Sequence, residues 1–216
     1  TVSETVFDAI HLDLTAPPMV YVPAGEFVMG SPDSHGDSDE HPRHTVHLDG
    51  FWIDKYEVTN DQYAKFLSSG NAHHFHPDMQ IRDVGDGAFL PADGYEYFPV
   101  VHVTYDNARA YAAWRGQSLP TEAQWEKAAR GTDERVYPWG TTIESNHANF
   151  WNNGDPSETR EIQLTPVGFF NGDNVNGYLT KDSQIPYGAY DMAGNVREWC
   201  LDWYDADYYN TSTTNN

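Results

Sequence analysis

Alternating apolar and polar positions make the N-terminal third of the chain typical of β-structure. Residues 19–30 (MVYVPAGEFVMG) alternate large apolar with small or polar side chains, as strands with one buried face do. Residues 44–56 (HTVHLDGFWIDKY) alternate on both sides of Asp49-Gly50, a dipeptide that favours tight hairpin turns. The polar, turn-rich residues 31–43 between them predict a surface loop. We therefore expect short antiparallel strands, with a hairpin at Asp49-Gly50.

Three later segments have the periodicity and the end signals of short helices. Each begins after a threonine, has apolar residues at helical spacing, and reaches a glycine. In the first and third, a glutamine three residues after the threonine completes a capping box. The pairs of start and stop residues are Thr59 with Gly70, Thr104 with Gly116, and Thr121 with Gly131. These signals predict three helices of about three turns each, between long irregular stretches.

The length and composition indicate one irregular domain. A chain of 216 residues can bury one proper core, and two domains would be a tight fit. Seven Trp and fourteen Tyr, with Gly and Pro scattered throughout, favour a loop-rich α+β fold with a core of large rings. We assign residues 1–16 to an N-terminal arm and residues 17–216 to the domain.

The net charge of the chain limits the classes of partner that it can bind. Thirty-three acidic against twelve basic residues give a formal net charge of −21, which repels nucleic acid and anionic membranes. No run of eighteen apolar residues is present, so we expect no membrane insertion. Cations are the natural partners of such a surface.

The single cysteine and the first residue of the sequence bear on the compartment in which we expect the protein. Cys200 is the single cysteine of the sequence, so no disulfide can form within it, and we expect a buried, apolar role for this thiol. The sequence begins with Thr1 rather than Met. We expect that a signal peptide was removed and that the protein is extracellular or periplasmic.

The segment 187–203 (YGAYDMAGNVREWCLDW) carries the strongest candidate chemistry. Asp191 and Glu198 offer carboxylates, and a turn at Gly194-Asn195 can direct backbone carbonyls toward one point. Ca²⁺ prefers six to eight such oxygens. Trp199 and Trp203 are four residues apart, so on a helical turn they would share a buried face. The alternative is an Asp-rich turn followed by an amphipathic helix.

A histidine-rich loop offers a second candidate metal site. His73, His74 and His76 lie between the first two predicted helices, and imidazole is a good ligand for zinc or copper. No acidic or sulfur partner stands at a standard spacing, which favours a solvated loop instead.

Five motifs in a fixed order point to a known family. They are VPAGEFVMGS, FWIDKYEVTNDQYAKF, PVVHVTYDNARAYAAWRGQSLPTEAQWEKAARG, YPWG and YGAYDMAGNVREWCLDWY. This series resembles the formylglycine-generating enzyme, or sulfatase-modifying factor, family over roughly residues 18–209. The resemblance implies a compact, irregular α+β domain of C-type-lectin-like type, with about three short helices and short antiparallel strands.

The resemblance also implies calcium. One family site, carried over by matching motif, would use the side chains of Asp191 and Glu198 and the carbonyls of Gly194 and Val196. This set agrees with the spacing described above.

A second implied calcium site falls in the loop that follows YPWG. It would use the Asn149 side chain, the Phe150 carbonyl and a carboxylate from Asp155 or Glu158. For Asn149, the alternative is a loop cap that bonds its own backbone.

The catalytic members of the family oxidise a sulfatase cysteine to formylglycine with molecular oxygen and a copper ion held by two cysteines. Two thiolates suit Cu(I), since both partners are soft. The matching segment would lie beyond Asn216, and Cys200 is not its equivalent. We therefore expect no catalytic residue in this sequence, and copper only if a missing C-terminal segment supplies the cysteines.

Three functions follow from these observations. The first is a calcium-stabilised, non-catalytic module that binds a protein or a glycan, or that associates with itself. The second is a formylglycine-generating oxidase whose cysteine segment is missing from the sequence. The third is different metal chemistry at His73, His74 or His76. We also expect that a further segment or a neighbouring subunit covers apolar surface left open on this domain.

Overall fold

A computed structural model describes residues 17–32, 36–151, 153–155 and 163–212. The predicted arm, residues 1–16, lies outside the described residues. The strands are β1 Met19–Val22, β2 Gly25–Met29, β3 His44–Leu48, β4 Phe51–Asp54, β5 Ile81–Gly85, β6 Ala88–Pro91, β7 Asn174–Val175 and β8 Tyr178–Leu179. The α-helices are α1 Asn60–Phe66, α2 Tyr105–Trp114, α3 Glu122–Arg130 and α4 Tyr208–Thr211. These short helices and antiparallel strands confirm the predicted irregular α+β fold.

The first four strands form one bent antiparallel ribbon. β1 pairs with β4, and β2 pairs with β3. The register from Gly25↔Leu48 continues as Val22↔Phe51, so both pairs belong to one ladder that is interrupted between β1 and β2. The predicted hairpin at Asp49-Gly50 is therefore wrong, because this dipeptide lies opposite the interruption and β3 does not pair with β4. This pairing, with β1 on β4 and β2 on β3 in one register, is consistent with the alternation of apolar and polar residues in all four strands.

The three predicted helices are confirmed with their capping residues. Thr59, Thr104 and Thr121 each accept a hydrogen bond from the backbone three residues on, and the capping boxes at Thr59 and Thr121 are complete. Gly116 and Gly131 follow α2 and α3 with positive φ angles. After α1 the chain continues through a wide turn, Leu67–Asn71, that contains Gly70 at φ +99°.

Apolar side chains collect in three clusters. The first lies where α1 and α2 meet the β5–β6 hairpin and includes Tyr63, Phe66 and Tyr111. The second packs α3 against β1 and the chain around residues 185–192. The third covers the ribbon at β2 and β3 and includes Tyr209 of α4. No helix of the described residues is long and apolar enough to cross a membrane.

Lys127 joins α3 to the interruption of the ribbon. Its side chain is 1 % exposed, and its Nζ donates to the carbonyls of Pro23 at 2.9 Å and Gly25 at 2.7 Å. We expect Lys127→Met to lower the free energy of unfolding by about 2 kcal/mol, because two carbonyls lose a charged donor. Urea unfolding measures the effect. Lys65→Met is the control, since Lys65 forms an exposed pair with Asp61, and equal losses in both variants would contradict this role.

Candidate metal centre and adjoining cavity

A turn with left-handed backbone brings the predicted calcium ligands together. Asp191, Gly194 and Asn195 have φ angles of +61°, +89° and +56°. Aspartate and asparagine tolerate this region better than other side chains do. A Cβ on Gly194 would lie 2.3 Å from the Asn149 carbonyl oxygen, so only glycine fits here. The turn is therefore held against the loop that contains Asn149.

Asn195 connects this turn to three distant segments. Its Nδ2 donates to Glu57 Oε2 at 2.7 Å and to the Thr165 carbonyl at 3.2 Å. Its Oδ1 accepts from the Thr165 amide at 3.0 Å and from Asn149 Nδ2 at 3.2 Å. Its own amide donates to the Asn149 carbonyl at 2.9 Å. Asn195 thus ties the turn to the segments that contain Glu57, Asn149 and Thr165.

Three carboxyl groups face this centre. Asp191 Oδ2 accepts from the Gly168 amide at 2.5 Å, and Glu198 Oε2 accepts from Trp125 Nε1. Glu57, between β4 and α1, is 8 % exposed, and its Oε1 has no hydrogen-bond partner among the described residues. Glu57 was not among the residues predicted for this centre. It lies more than 130 residues from Asp191, and no local pattern links the two.

Burial raises the pKa of all three carboxyl groups. The pKa of Glu57 is well above its usual range, because of burial first and then the charges of Asp191 and Glu198. Burial raises the pKa of Asp191 to about 7, although the Gly168 amide opposes the shift. Glu198 lines a cavity, and burial raises the pKa of this carboxyl group as well. Ionising these acids together is costly unless a cation compensates.

The backbone carbonyls predicted as ligands are free of internal partners. Within the described parts of the chain, neither the Gly194 nor the Val196 carbonyl accepts a hydrogen bond. Together with Asp191 and Glu198 they form a set of hard oxygen donors of the kind that calcium prefers. The residues therefore fit the ion chemically, and their role as ligands stays a prediction.

The second predicted set is only partly described. Asn149 Nδ2 donates to the Gln163 carbonyl at 2.9 Å as well as to Asn195, so its side chain joins segments rather than capping its own loop. The Phe150 carbonyl accepts from the Asn153 amide at 3.2 Å. Asp155 is 3 % exposed, and Glu158 lies outside the described residues. This second site stays a prediction.

The tryptophans after the turn are not arranged as predicted. Residues 195–204 form no helix, and Trp199 and Trp203 are 49 % and 87 % exposed. Trp199 Nε1 donates to the Val103 carbonyl at 2.9 Å, and the Leu201 amide donates to the Pro120 carbonyl at 2.8 Å. These bonds to other segments replace the bonds along the chain that a helix needs.

Cys200 is a protonated thiol in an irregular segment. The expected burial of this thiol is met only in part, since Cys200 is partly rather than fully buried, and the residues around it form no helix. Burial, and then the charge of Glu122, raises its pKa to about 12. A thiol with this pKa is a poor metal ligand near neutral pH.

The predicted histidine trio is divided between two places. His74 Nδ1 lies 2.8 Å from Asn107 Oδ1, and its ring stacks on Phe66. His76 instead faces Asp78 and His102. Asp78, two residues from His76 in the sequence, is an acidic neighbour that does not stand at a standard metal-site spacing. His102 was missed because it belongs to a segment 26 residues further on.

A cavity of about 730 Å³ lies between the ribbon, α2 and the acidic turn. Asp54 and Arg115 form an ion pair with two hydrogen bonds on its wall. Most of the remaining wall is apolar or aromatic, including Phe51, Trp52, Ile53, Val58, Val100, Val103, Ala108, Leu119, Tyr190 and Met192. Its size is that of a ligand-binding site.

Comparisons with known proteins show which family this chain resembles. A model of the FGE-sulfatase family, described as a sulfatase-modifying factor enzyme 1-like domain, matches residues 6–215. Serine/threonine-protein kinase pkn1 of Chlamydia caviae is 36 % identical over 90 % of this chain, which spans 29 % of the kinase. Formylglycine-generating enzyme of Thermomonospora curvata is 35 % identical over 90 % of this chain and 74 % of the enzyme.

A solved structure agrees with the sequence comparisons. PvdO from Pseudomonas aeruginosa has a TM-score of 0.68 and 27 % identity, over 93 % of this chain and 76 % of PvdO. The family match, over residues 6–215, includes the segments that build the acidic turn. The chain belongs to the FGE-sulfatase family of sulfatase-modifying factor domains.

Proposed function

We propose that this domain is a calcium-stabilised, non-catalytic module that binds a protein or a glycan, or a second copy of itself, outside the cytoplasm. One observation carries the proposal. An acidic turn, whose Gly194 and Val196 carbonyls accept no hydrogen bond from the described residues, stands beside a large and mostly apolar cavity, and Glu198 belongs to both. The turn supplies a cation site, and the cavity supplies a binding surface.

Calcium is supported by the donor set and its electrostatics. The ligands are Asp191, Glu198 and the carbonyls of Gly194 and Val196, with the carboxyl group of Glu57 nearby. Hard oxygen donors suit Ca²⁺ better than transition metals. The ion would lower the cost of burying these charges and would lock the turn.

The non-catalytic role is supported by the thiol chemistry of this sequence. A two-thiolate copper site needs two cysteines, and Cys200 is a partly buried thiol whose pKa is raised by its surroundings. Use of the domain as an attached module is supported by the chlamydial kinase, in which the similar stretch is under a third of the protein.

A second candidate is the oxidase that converts a sulfatase cysteine to formylglycine. It is favoured by the 35 % identity to the enzyme of Thermomonospora curvata. On this hypothesis, a cysteine-bearing segment outside the given sequence would hold copper. An intact mass well above that of these residues, with bound copper and turnover of a cysteine-containing sulfatase peptide, would support the oxidase over the binding module.

Exposed aromatic rings mark the binding surface. Trp52 and Trp199 both line the cavity, and they are 62 % and 49 % exposed. Tryptophan dominates the energetics of many interfaces, and its flat ring also stacks on sugars. The apolar wall and these rings suit a partner that offers apolar side chains or sugar faces.

Removing Trp52 is expected to weaken partner binding at least tenfold, which corresponds to about 1.4 kcal/mol. The measurements are sedimentation velocity for self-association and a glycan array for sugars, with wild type and Trp52→Ser. Trp151→Ser is the control, because Trp151 is 85 % exposed and lies outside the cavity. Equal behaviour of the two variants would place binding elsewhere.

A further inference from the structure

We infer that His76, Asp78 and His102 form a second metal site, which binds a divalent transition-metal ion of the zinc, copper or nickel type. This site is separate from the calcium centre and differs from it in donor chemistry. Among the described residues it is the one group of three or more His, Cys, Asp or Glu whose ligand atoms all lie within 4.8 Å of one another.

The three side chains are already arranged around one point. His76 Nδ1 lies 3.8 Å from Asp78 Oδ2. The rings of His76 and His102 are 5.5 Å apart and nearly parallel, with an interplanar angle of 12°. All three residues are exposed, so an ion reaches them from solvent without any opening of the fold.

Neighbouring residues that pack on the core hold the first two ligands in place. Phe75 precedes His76 and packs on Phe89 at 5.3 Å between ring centroids. Met79 follows Asp78, is 4 % exposed, and donates its amide to the His76 carbonyl at 3.0 Å. The short segment that carries His76 and Asp78 is therefore fixed to the core at both ends.

The third ligand is fixed in the same way. Val100 and Val103, on either side of His102, pack against the cluster between α1 and α2. The Val103 carbonyl also accepts from Trp199 Nε1. His102 itself has φ +60°, a left-handed conformation that costs free energy for a side chain of this kind and here directs its ring toward His76. Preorganised ligands lose little entropy when the ion binds.

The donors define the class of metal. Two imidazoles and one carboxylate suit Zn²⁺, Cu²⁺ and Ni²⁺, and the expected affinity order is Cu²⁺ above Ni²⁺ and Zn²⁺. His76 Nδ1 accepts a hydrogen bond from the Asp78 amide at 3.2 Å, so this nitrogen carries the lone pair that a metal needs. The ion would take that lone pair from the amide. Calcium, which prefers oxygen ligands, should bind here poorly.

The location gives the site a role at the binding surface. His102 lines the large cavity, so an ion at this site stands at the cavity rim. Three protein ligands leave at least one position for water or for a donor atom of a partner. A carboxylate, imidazole or hydroxyl of the partner would complete the coordination, which would make partner binding depend on the metal.

The test measures Zn²⁺ affinity by calorimetry and Cu²⁺ coordination by electron paramagnetic resonance, on untagged protein with calcium present. Zn²⁺ should bind at one site, and the Cu²⁺ spectrum should show two nitrogen ligands. His102→Asn removes an imidazole but keeps a residue that tolerates φ +60°, and it should weaken Zn²⁺ binding at least tenfold and leave one nitrogen. Asp78→Asn should weaken Zn²⁺ binding with both nitrogens retained.

His73→Asn is the matched control, because His73 is exposed on the same loop but lies outside the group. It should bind Zn²⁺ as wild type does. Circular dichroism and an unchanged melting temperature in calcium establish that each variant is folded. Wild-type Zn²⁺ affinity in the double variant His76→Asn/His102→Asn, or a Cu²⁺ spectrum without nitrogen ligands, would overturn the inference.

Discussion

Chelation of calcium is expected to lower the melting temperature of the domain by about 5 to 10 °C. An ion present at a hundred times its dissociation constant stabilises the folded state by about 2.7 kcal/mol. In a domain of this length, 1 kcal/mol corresponds to about 2 to 4 °C. Scanning calorimetry with EDTA, then with excess Ca²⁺ or Mg²⁺, measures the change. Calcium should restore the transition and magnesium should not, because magnesium requires a tighter octahedral site.

A pair of glutamate variants assigns the effect to the acidic turn. Glu198→Gln removes a predicted ligand charge but keeps the shape of the side chain, so the melting temperature should no longer respond to calcium. Glu144→Gln is the control, since Glu144 is exposed and lies 3.9 Å from Lys181 in a loose surface pair. A melting curve of the wild type that is the same with and without EDTA would rule the calcium site out.

Without calcium, the Asp191 carboxyl group is expected to make the free energy of unfolding fall as the pH rises toward 7. The pKa of folded Asp191 is about 7, above the value of about 3.9 for an unfolded aspartate. Between these values the folded state holds more protons, so the free energy of unfolding falls as pH rises from about 4 to about 7. Each unit of pKa shift corresponds to about 1.4 kcal/mol.

Urea unfolding in EDTA at several pH values measures this loss. The difference between wild type and Asp191→Asn isolates the contribution of one group from those of all other acids. Calcium should remove most of the loss, because the ion stabilises the ionised carboxylate. A wild-type contribution that grows with pH in EDTA would contradict the raised pKa.

Gly194→Ala is expected to lower the free energy of unfolding by about 3 kcal/mol or more. The new Cβ would approach the Asn149 carbonyl oxygen at 2.3 Å, and the backbone has φ +89°. Strain at positive φ costs about 1 kcal/mol, and overpacking costs about 1 to 3 kcal/mol more. The turn must also move away from Asn149, so we expect the variant to lose its response to calcium.

Gly87→Ala separates the two contributions. Gly87 has φ +76°, but a Cβ there meets no atom within 4 Å. This variant should lose about 1 kcal/mol through backbone strain alone and should keep the calcium response. Urea unfolding compares both proteins. Equal losses of unfolding free energy in the two variants would mean that the close approach between Gly194 and Asn149 adds nothing to the cost of the substitution.

Local signals made the helices predictable. A capping box lies within four residues, and its hydrogen bonds form inside the helix that it starts. Thr59 and Thr121 were therefore sufficient to place α1 and α3. Strand pairing depends on distant partners instead, and Asp49-Gly50 has the local signal of a hairpin although it lies opposite the interruption of a longer ribbon.

The residues of the candidate sites also differ in whether a local sequence pattern could predict them. Asp191, Gly194 and Glu198 were predictable because eight residues contain them all. Glu57 and His102 were not, since each reaches its site only through the folding of a remote segment. The tryptophan spacing was misleading because tertiary hydrogen bonds of Trp199 and Leu201 determine the backbone there.

The hydrogen bond between Asn195 and Glu57 has a consequence for the biosynthesis of the protein. It joins residues 138 positions apart, and contacts of such long range form slowly and late. A nascent chain that has not yet emerged from the ribosome past Asn195 lacks the centre entirely, whatever else has folded. If the proposed calcium site exists, calcium can be captured only after Asn195 has emerged, so bound calcium would report that Glu57 and Asn195 have come together.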